Sequence, residues 1–562
     1  KAWDAVLSKI ARLDAVFVPG GDPGHTQPKI LMPFLEKVTE VLHRSHPRAQ
    51  MWMSPQGFNK EWTEEFYEIM KQEPKWLTGL VHGPQIRPTL IELRKAIPAR
   101  YPIRNYPDIT HSRQSQFLVP DWDYAFAVTE ARETINPRPL DEATIFRYGL
   151  DSSIGFLTYS EGCNDDVNKF VWSGLGWDPD MPVVDILRQY GRYFISDRFS
   201  EGIAQGLLAL ESNWRGPLIA NQKVETTLEQ FQAMEKAANP QERLNWRFQQ
   251  ALYRAYYDAT VRDRLIYETD LENQAMEVLG KAKKLGAQVA IDRAGEILDR
   301  AVLAPVSVDR RARVFELAEA LFQSVRMQLS VPRYQAIAVD RGANLDTIDI
   351  PLNSRIWIKS KLADARDRVS EPERLSEIDK LVRWTDPGPG GFYDDLGNLT
   401  RQPHLVRGLG FAKDPDFRRS SVVGFSSRPN WRISWCQHAF ALHEQPLQLH
   451  YEGLDRQARY KVRVVYAGDS FRYKVKLDSE KGVVHDWFVK PSDPMPVEFD
   501  IPAEATADGD LTLSWNTEPG LGGNGRSNLW GPVKLIICNL VFRYVICRAI
   551  QTELKVDRCG FN

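Results

Sequence analysis

The sequence has few cysteines, no excess of charge of either sign and no long apolar run, and each absence argues against a class of protein. Its 5 cysteines, at positions 163, 436, 538, 547 and 559, form no CxxC pair, which argues against a zinc ribbon or a dense disulfide framework. Lys and Arg total 72 against 74 Asp and Glu, so the basic surface of a dedicated nucleic-acid binder is missing. The longest apolar stretch, 535–547, is interrupted by Asn539 and Arg543 and falls short of the ~20 apolar residues of a membrane span.

Several catalytic signatures are also missing. The sequence contains no HExxH, P-loop or GxSxG motif and no His/Asp cluster at metal-ligand spacing, so no metal or cofactor is predicted. Aromatic residues, by contrast, are abundant, with 16 Trp, 19 Tyr and 25 Phe. Most of them are expected in the core, although aromatic faces also suit the binding of sugar rings.

The 562 residues allow about three or four domains. Residues 1–198 alternate apolar runs with amphipathic stretches, which is typical of βα units around a parallel sheet. Strands are predicted at 15–18, 49–53, 77–81, 101–105 and 153–158, and helices at 60–71 and 88–96. A further helix begins near Pro28, because one face at helical spacing carries Ile30, Leu31, Phe34, Leu35, Val38, Val41 and Leu42.

Each predicted strand ends in a polar cluster rich in Gly or Pro. The clusters are GGDPGHT (20–26), SPQGF (54–58), HGPQ (82–85), NYPDITHS (105–112) and YSEGCNDD (159–166). Residues at the carboxyl ends of parallel strands meet on one face, as in α/β-barrel enzymes. A doubly wound sheet is the alternative, but the glycine-rich turn is not GxGxxG, and a (β/α)8-type barrel is favoured.

A full barrel needs eight strands and about 250 residues, so this one is expected to lack its first strands, which would lie upstream of Lys1. The other reading is that further strands escape the pattern. Residues 199–384 read as a helical domain, with an N-cap at Asn239-Pro240-Gln241-Glu242. Residues 385–545 alternate with a period of two and predict a β-sandwich, which is expected to be carbohydrate-binding-like. Residues 546–562 form an irregular tail.

The acids at the predicted strand ends are the candidates for chemistry. Asp22, between Gly21 and Pro23, and Glu161, after a strand that ends in Tyr159, are the predicted catalytic carboxylates, with His25 as a partner that orients Asp22. Asp22 would otherwise close its loop through an Asx turn, and His25 would cap the next helix. The predicted substrate-binding residues are Trp52, Gln56, His82, Gln85, Asn105, Tyr106, Asp108, Tyr159, Asn164 and Asp165, together with His111.

Two segments resemble known enzymes. VFVPGGDPGH (16–25) resembles the fourth barrel strand of hexosaminidase-type glycoside hydrolases, and the segment from YSEGCNDD onwards is similar to the last strand and helix of hexosaminidase-like and α-glucuronidase-like glycosidases. The resemblance covers mainly residues 14–200 and implies a glycosidase barrel followed by helical and β-sandwich domains. Hexosaminidases have Glu after the Asp, whereas this chain has Pro23, so their Asp–Glu mechanism does not carry over. Asp22 transfers by position, and Glu161 is the candidate for the acid.

Two functions follow from these features. The first is a glycoside hydrolase that cleaves a terminal sugar from a glycan or oligosaccharide by carboxylate acid/base catalysis. The second is a non-catalytic carbohydrate-binding or interaction protein on a degenerate glycosidase scaffold, and a protein-docking role for residues 199–384 is compatible with either. The expected partner is a carbohydrate, with no nucleic acid and no membrane, and the oligomeric state is open. A sequon, Asn398-Leu399-Thr400, fits a secreted or extracytoplasmic protein.

Overall fold

The computed structural model of the chain describes residues 2–18, 26–426, 428, 430–442, 445–466, 474–491, 494–518 and 535–545, the last of these as strand backbone. Two predicted catalytic residues, Asp22 and His25, lie outside the described residues, as does the predicted tail of 546–562. Among the helices of the described part, none is long and apolar enough to cross a membrane.

A parallel sheet organises the N-terminal part. Its strands are β1 (Ala15–Val18), β2 (Gln50–Met53), β3 (Gly79–His82) and β4 (Ile103–Asn105), which lie in this order. The helices of this part are α1 (Ala2–Leu7), α2 (Pro28–Ser45), α3 (Lys60–Lys71) and α4 (Leu90–Ala96). A helix connects each of the neighbouring parallel pairs, which confirms the predicted βα alternation. All four strands therefore end at the same edge of the sheet, called the carboxyl edge below.

The fifth predicted strand, 153–158, runs beside β4 without becoming a regular strand. Asn105 forms a parallel bridge to Phe156, and Asp108 forms one to Tyr159. Pro107 stands between the two bridges and has no N–H to donate, so the ladder is interrupted there. Within the described residues the sheet stays open here, and closure into an eight-stranded barrel is not seen.

Local sequence signals predict where the first helices lie, but they predict less well which residues are buried. α3 has the predicted bounds, and the side chain of Asn59 caps it by accepting from the backbone N–H of Trp62. α2 begins at Pro28 as predicted. However, Ile30 and Phe34, which were predicted on its buried face, are 55% and 52% exposed. The apolar stripe of α2 is wider than the surface that packs against it.

Helices continue through the middle of the chain. They are α5 (Tyr124–Thr129), α6 (Pro139–Gly149), α7 (Asp166–Trp177), α8 (Val183–Phe194), α9 (Ser200–Asn213), α10 (Lys223–Ala237), α11 (Pro240–Arg243), α12 (Trp246–Gly280), α13 (Ala282–Leu285), α14 (Ala287–Leu303), α15 (Val308–Val325), α16 (Val331–Tyr334), α17 (Arg355–Arg366) and α18 (Glu371–Val382). The predicted capping box of Asn239 and Glu242 is present, but it opens only the single turn α11. The long helix α12 has its own N-cap, Asn245.

One hydrophobic core joins the carboxyl edge to these helices. It runs from Ile109 to Leu352 and includes Trp172 of α7, Trp214 after α9 and Tyr253 of α12, all at most 2% exposed. Because the loops beyond β4 share this core with α12, they are held by the helical part of the chain as well as by the sheet.

The last part of the chain contains two antiparallel sheets. Their elements are β5 (Phe392–Asp395), β6 (Val422–Phe425), α19 (Ile433–Cys436), β7 (Gln437–Ala441), β8 (Leu447–Tyr451), β9 (Arg459–Tyr466), β10 (Lys474–Ser479), β11 (Gly482–Val489), β12 (Met495–Asp500), β13 (Leu511–Thr517) and β14 (Leu535–Val545). One sheet has the order β11-β10-β13-β8 and the other β12-β9-β14-β7-β6, with β5 beside β14. Side chains from both sheets, among them Val464 of β9 and Leu477 of β10, form one buried core.

Candidate functional site

The polar loops after β2 and β3 lie side by side at the carboxyl edge. The backbone N–H of Gly57 donates to the carbonyl of Gln85 at 3.2 Å. Gln56 is buried, whereas Gln85 is exposed and has a left-handed φ of 61°. Trp52 is only 2% exposed, since its ring lies under the guanidinium of Arg104 at 4.2 Å. This tryptophan therefore offers little surface to a ligand in the described arrangement.

His82 and Asn105 end β3 and β4 and are both buried. Nε2 of His82 is 3.0 Å from the carbonyl of Pro88, while its Nδ1 has no hydrogen-bond partner among the described residues. Burial lowers the pKa of His82 to about 4, and Arg418 adds to this effect. The imidazole is therefore neutral at pH 7. The hydroxyl of Ser54, at the end of β2, is likewise buried without a partner among the described residues.

A hydrogen-bonded chain of Asp108, His111 and Glu133 follows the end of β4. Oδ1 of Asp108 accepts from the backbone N–H groups of Thr110 and His111, each at 3.2 Å, which closes the loop as an Asx turn does. Oδ2 of Asp108 is 2.7 Å from Nδ1 of His111, and Nε2 of His111 is 3.1 Å from Oε1 of Glu133. Burial by itself would lower the pKa of His111, but the hydrogen bonds to both carboxylates outweigh burial and the pKa is raised. The carboxylates thus favour the imidazolium form.

Glu133 and Glu161 share one guanidinium. Arg341, between α16 and α17, places Nη1 2.7 Å from Oε1 of Glu133 and Nη2 3.0 Å from Oε2 of Glu161. Arg132 also approaches Oε1 of Glu133, at 3.4 Å. The side chain of Glu133 is 4% exposed, whereas that of Glu161 is 24% exposed. Glu161 is therefore the carboxylate of this pair that a ligand from solvent reaches first.

Tyrosines connect Glu161 with β1. The hydroxyl of Tyr159 donates to Oε1 of Glu161. The ring centroids of Tyr106 and Tyr159 are 6.0 Å apart, and those of Phe17 and Tyr106 are 5.8 Å apart. Burial is the main cause that raises the pKa of both tyrosines, with Glu161 as a further cause. A row of aromatic rings thus crosses the carboxyl edge from Phe17 in β1 to the carboxylates.

Asn164 and Asp165 brace the cluster from the N-terminal end of α7. The side-chain amide of Asn164 donates to the backbone carbonyl of Glu133. Asp165 is fully buried, accepts hydrogen bonds from Ser160 at 2.9 Å and from Thr110, and lies 3.2 Å from the ammonium of Lys169. Burial raises the pKa of Asp165. These contacts bind the last predicted strand end to the loop after β4.

The carboxylates also resemble a metal site in composition. Ligand atoms of His111, Glu133 and Glu161 lie within 4.8 Å of one another. However, Nε2 of His111 is already hydrogen-bonded to Glu133, and Arg341 contacts both glutamates. The residues therefore do not fit a bound metal ion in this arrangement, because the guanidinium supplies the positive charge between the two carboxylates.

The structure brings together six of the predicted site residues in one cluster: Tyr106, Asp108, Tyr159, Glu161, Asn164 and Asp165. His111, named among the hydroxyl-binding candidates, is at its centre. Sequence reasoning missed Arg132, Glu133 and Arg341. The first two follow no predicted strand, and Arg341 falls in the predicted helical domain, where no site residue is predicted. A signal in the sequence that could have pointed to this loop is Gly342, the glycine directly after Arg341, which has a φ of +99°.

The chain was compared with known proteins. No protein family model matches it, and no curated protein matches it in sequence. A family GH115 4-O-methyl-α-glucuronidase with specificity for decorated arabinogalactans is 9% identical, with a TM-score of 0.30, over 97% of this chain and 66% of that chain. A GH138 enzyme targeting pectin rhamnogalacturonan II is 9% identical, with a TM-score of 0.34, over 92% of this chain and 71% of that chain. A Bacillus subtilis protein, YXIM, is 12% identical, with a TM-score of 0.18, over 28% of this chain and 40% of that chain.

The chain thus spans slightly less than two thirds of the glucuronidase's length. At TM-scores this low, the likeness to these structures carries no argument about function.

Proposed function

We propose that this protein is a glycoside hydrolase that removes a terminal sugar from a glycan or oligosaccharide at the carboxyl edge of its parallel sheet. In this proposal the sheet belongs to a (β/α)8-type barrel, and the antiparallel sheets form a carbohydrate-binding β-sandwich. The observation that carries the proposal is the partly exposed carboxylate of Glu161, held beside the buried Glu133 by Arg341 at the end of a parallel sheet. Glycosidic bond cleavage requires a carboxylate that the substrate can reach, and α/β-barrel enzymes place theirs at this edge of the sheet.

The contacts of Glu161 favour a role as base or nucleophile over the role of proton donor. Its two oxygens face the hydroxyl of Tyr159 and the guanidinium of Arg341. A proton on either oxygen would displace one of these donors, so both oxygens act as acceptors in this arrangement. Whereas the sequence alone favours Glu161 as the acid, with these contacts we assign the proton donor instead to Asp22, which follows β1 in the sequence and is assisted by His25.

The sugar itself would be held by polar and aromatic groups of the same edge. Ser54 and His82 have buried polar atoms without partners among the described residues, and sugar hydroxyls are suitable partners for such atoms. Tyr106 and Tyr159 offer ring surface next to Glu161. Asn105, Gln56 and Gln85 complete the proposed set of hydroxyl-binding side chains.

The test is hydrolysis of a panel of 4-nitrophenyl glycosides by the wild-type chain and its amide variants. Glu161→Gln and Asp22→Asn are each expected to lower kcat about 10²–10⁴-fold, as loss of acid/base or nucleophilic help does. The matched control is Glu316→Gln in α15, which removes an exposed ion pair with Arg313. Full activity in both amide variants would refute the assignment.

A second function is favoured by one observation. Glu133, Glu161 and His111 are already satisfied by partners within the chain, which suits a binding site as well as a catalytic one. A non-catalytic carbohydrate-binding protein would bind glycans on an array yet hydrolyse none of the aryl glycosides. Its affinity would be little changed by Asp22→Asn.

A further inference from the structure

The loop that carries Arg341 is fixed to the carboxyl edge although it belongs to the helical part of the chain. Arg341 is 180 residues from Glu161 in the sequence. The backbone N–H of Glu133 donates to the carbonyl of Asp340 at 3.1 Å, and Arg113 pairs with the carboxylate of Asp340. On the other side of Arg341, the amide of Asn344 donates to Glu130 at 2.6 Å. The guanidinium therefore reaches the carboxylates from a backbone that is held on both sides.

Gly342 allows this close approach. Its φ is +99°, and a Cβ placed on it would lie 3.0 Å from the carbonyl oxygen of Glu133 and 3.1 Å from Nδ2 of Asn164. An L side chain would be strained by the backbone angle and crowded by a backbone oxygen that would have to shift by a few tenths of an ångström. The glycine thus sets the depth at which the preceding residue, Arg341, enters the cluster.

The charges around the two glutamates are distributed unevenly. Glu133 faces His111, Arg132 and Arg341. Among the described residues, Glu161 has Arg341 as its sole cationic partner, and its other donor is the neutral hydroxyl of Tyr159. Asp108 lies beyond His111. Because oxygens of Glu133 and Glu161 lie within 4.8 Å of each other, their repulsion depends on the bridging guanidinium.

We propose that Arg341 is a positioning residue: its planar fork holds Glu161 beside Glu133, so the helical part completes the candidate site. Two nitrogens of one guanidinium contact one glutamate each, a geometry that a lysine ammonium cannot reproduce. The link to catalysis rests on the proposed function, whereas the bridging role itself does not.

The bridging role is tested by the titration of the two glutamates in the full chain. Carboxyl ¹³C resonances of ¹³C-glutamate-labelled protein are followed against pH, and the signals are assigned by their loss in Glu133→Gln and Glu161→Gln. In Arg341→Gln the midpoint of Glu161 is expected to rise by about one pH unit or more. Arg341→Lys, which keeps the charge and loses the fork, is expected to give an intermediate midpoint. An unchanged midpoint in both variants overturns the proposal.

Controls separate this role from general folding effects. Arg311→Gln removes a guanidinium of similar exposure, paired with Asp349, and is expected to leave both midpoints unchanged. If Arg341→Gln does not fold, the comparison of Arg341→Lys with wild type decides the question, since a midpoint equal to wild type again contradicts it.

The activity assay then separates the two proposals. With an aryl glycoside that the wild-type chain hydrolyses, Arg341→Gln is expected to lower kcat about tenfold or more with a smaller change in KM, and to move the acid limb of the pH profile upwards with the Glu161 midpoint. If no glycoside is hydrolysed while the midpoint still rises, the proposed function fails and the bridging role stands. If hydrolysis is observed and its acid limb stays in place in Arg341→Gln, the positioning role is refuted while the glycosidase is retained.

Discussion

Two buried histidines near neighbouring strand ends have pKa values shifted in opposite directions because their partners differ. His82 contacts a backbone carbonyl and is otherwise buried, so its pKa falls to about 4. His111 is equally buried but has a carboxylate on each ring nitrogen, and its pKa is raised. His82 is the last residue of β3, and His111 lies in the loop after β4. The neighbours decide whether the pKa of the ring falls or rises.

His82 makes the stability of the chain depend on pH. Since its folded pKa lies below the unfolded value of about 6.5, the unfolded chain binds the proton more tightly. The free energy of unfolding should therefore fall between pH 6.5 and pH 4 by at most about 1.4 kcal/mol per pH unit from this group. His82→Gln keeps a donor for the carbonyl of Pro88 and cannot titrate, so its loss of stability over this range should be smaller.

Urea unfolding at pH 7, 5.5 and 4 measures this difference. Wild type and His82→Gln are compared at each pH, so that contributions from the other histidines cancel. A parallel decline in both proteins would show that His82 takes up no proton on unfolding.

At the scale of elements, β2 and β3 are packed so closely that one position excludes a side chain. A Cβ on Gly79 would lie 2.7 Å from the carbonyl oxygen of Pro102 and 2.7 Å from Cε3 of Trp52. Gly79 begins β3, where residue 79 pairs with Trp52. The glycine therefore permits the tryptophan ring to approach the neighbouring strand closely.

Gly79→Ala should separate these strands and lower the free energy of unfolding by about 1–3 kcal/mol, as overpacking of a buried site does. Gly295→Ala, in the middle of α14, is the matched control, because nothing lies within 4 Å of the added Cβ. The control is expected to be neutral or to stabilise the chain by up to about 1 kcal/mol through helix propensity. Equal effects in thermal unfolding of the two variants would contradict the close packing at Gly79.

The sequence predicts the elements near the site better than their contacts. Alternation of strands and helices up to β4, the bounds of α3 and the cap at Asn239 all follow from residues within a few positions of one another. The fifth strand is less regular than predicted because Pro107 lies in the segment that pairs with it, after β4, and interrupts the hydrogen bonds between the two. The regularity of a strand therefore depends also on the sequence of the segment that pairs with it, which periodicity within the strand does not show.

At the scale of the whole molecule, one buried arginine connects the loops of the site with the long helix α12. Arg254 is 1% exposed, donates to the carbonyl of Ile135 at 2.7 Å and pairs with Asp258 at 3.1 Å. Glu130 is 3.6 Å from the same guanidinium and accepts from Asn344, in the loop of Arg341. Residues of the carboxyl-edge loops and of the helical part thus share one polar network.

Arg254→Met should lower the free energy of unfolding by about 3–5 kcal/mol, because it leaves buried carboxylates without their cation. Arg366→Met is the control: its ion pair with Asp292 is half exposed, and its loss should cost at most about 1 kcal/mol. Denaturant unfolding of both variants measures the two effects. If the two variants lose the same free energy of unfolding, the polar network around Arg254 contributes little to stability.

The sequence by itself determined the alternating βα pattern and the polar strand ends, since periodicity and turn chemistry act over a few residues. It also identified Asp108, Tyr159 and Glu161 as candidate site residues, because residues that follow parallel strands lie at one edge of the sheet. Only the tertiary structure decided that Glu133 and Arg341 join Glu161. A contact between residues 180 positions apart leaves no periodic trace in the sequence, since it forms when helix α12 and the loops beyond β4 bury one common core.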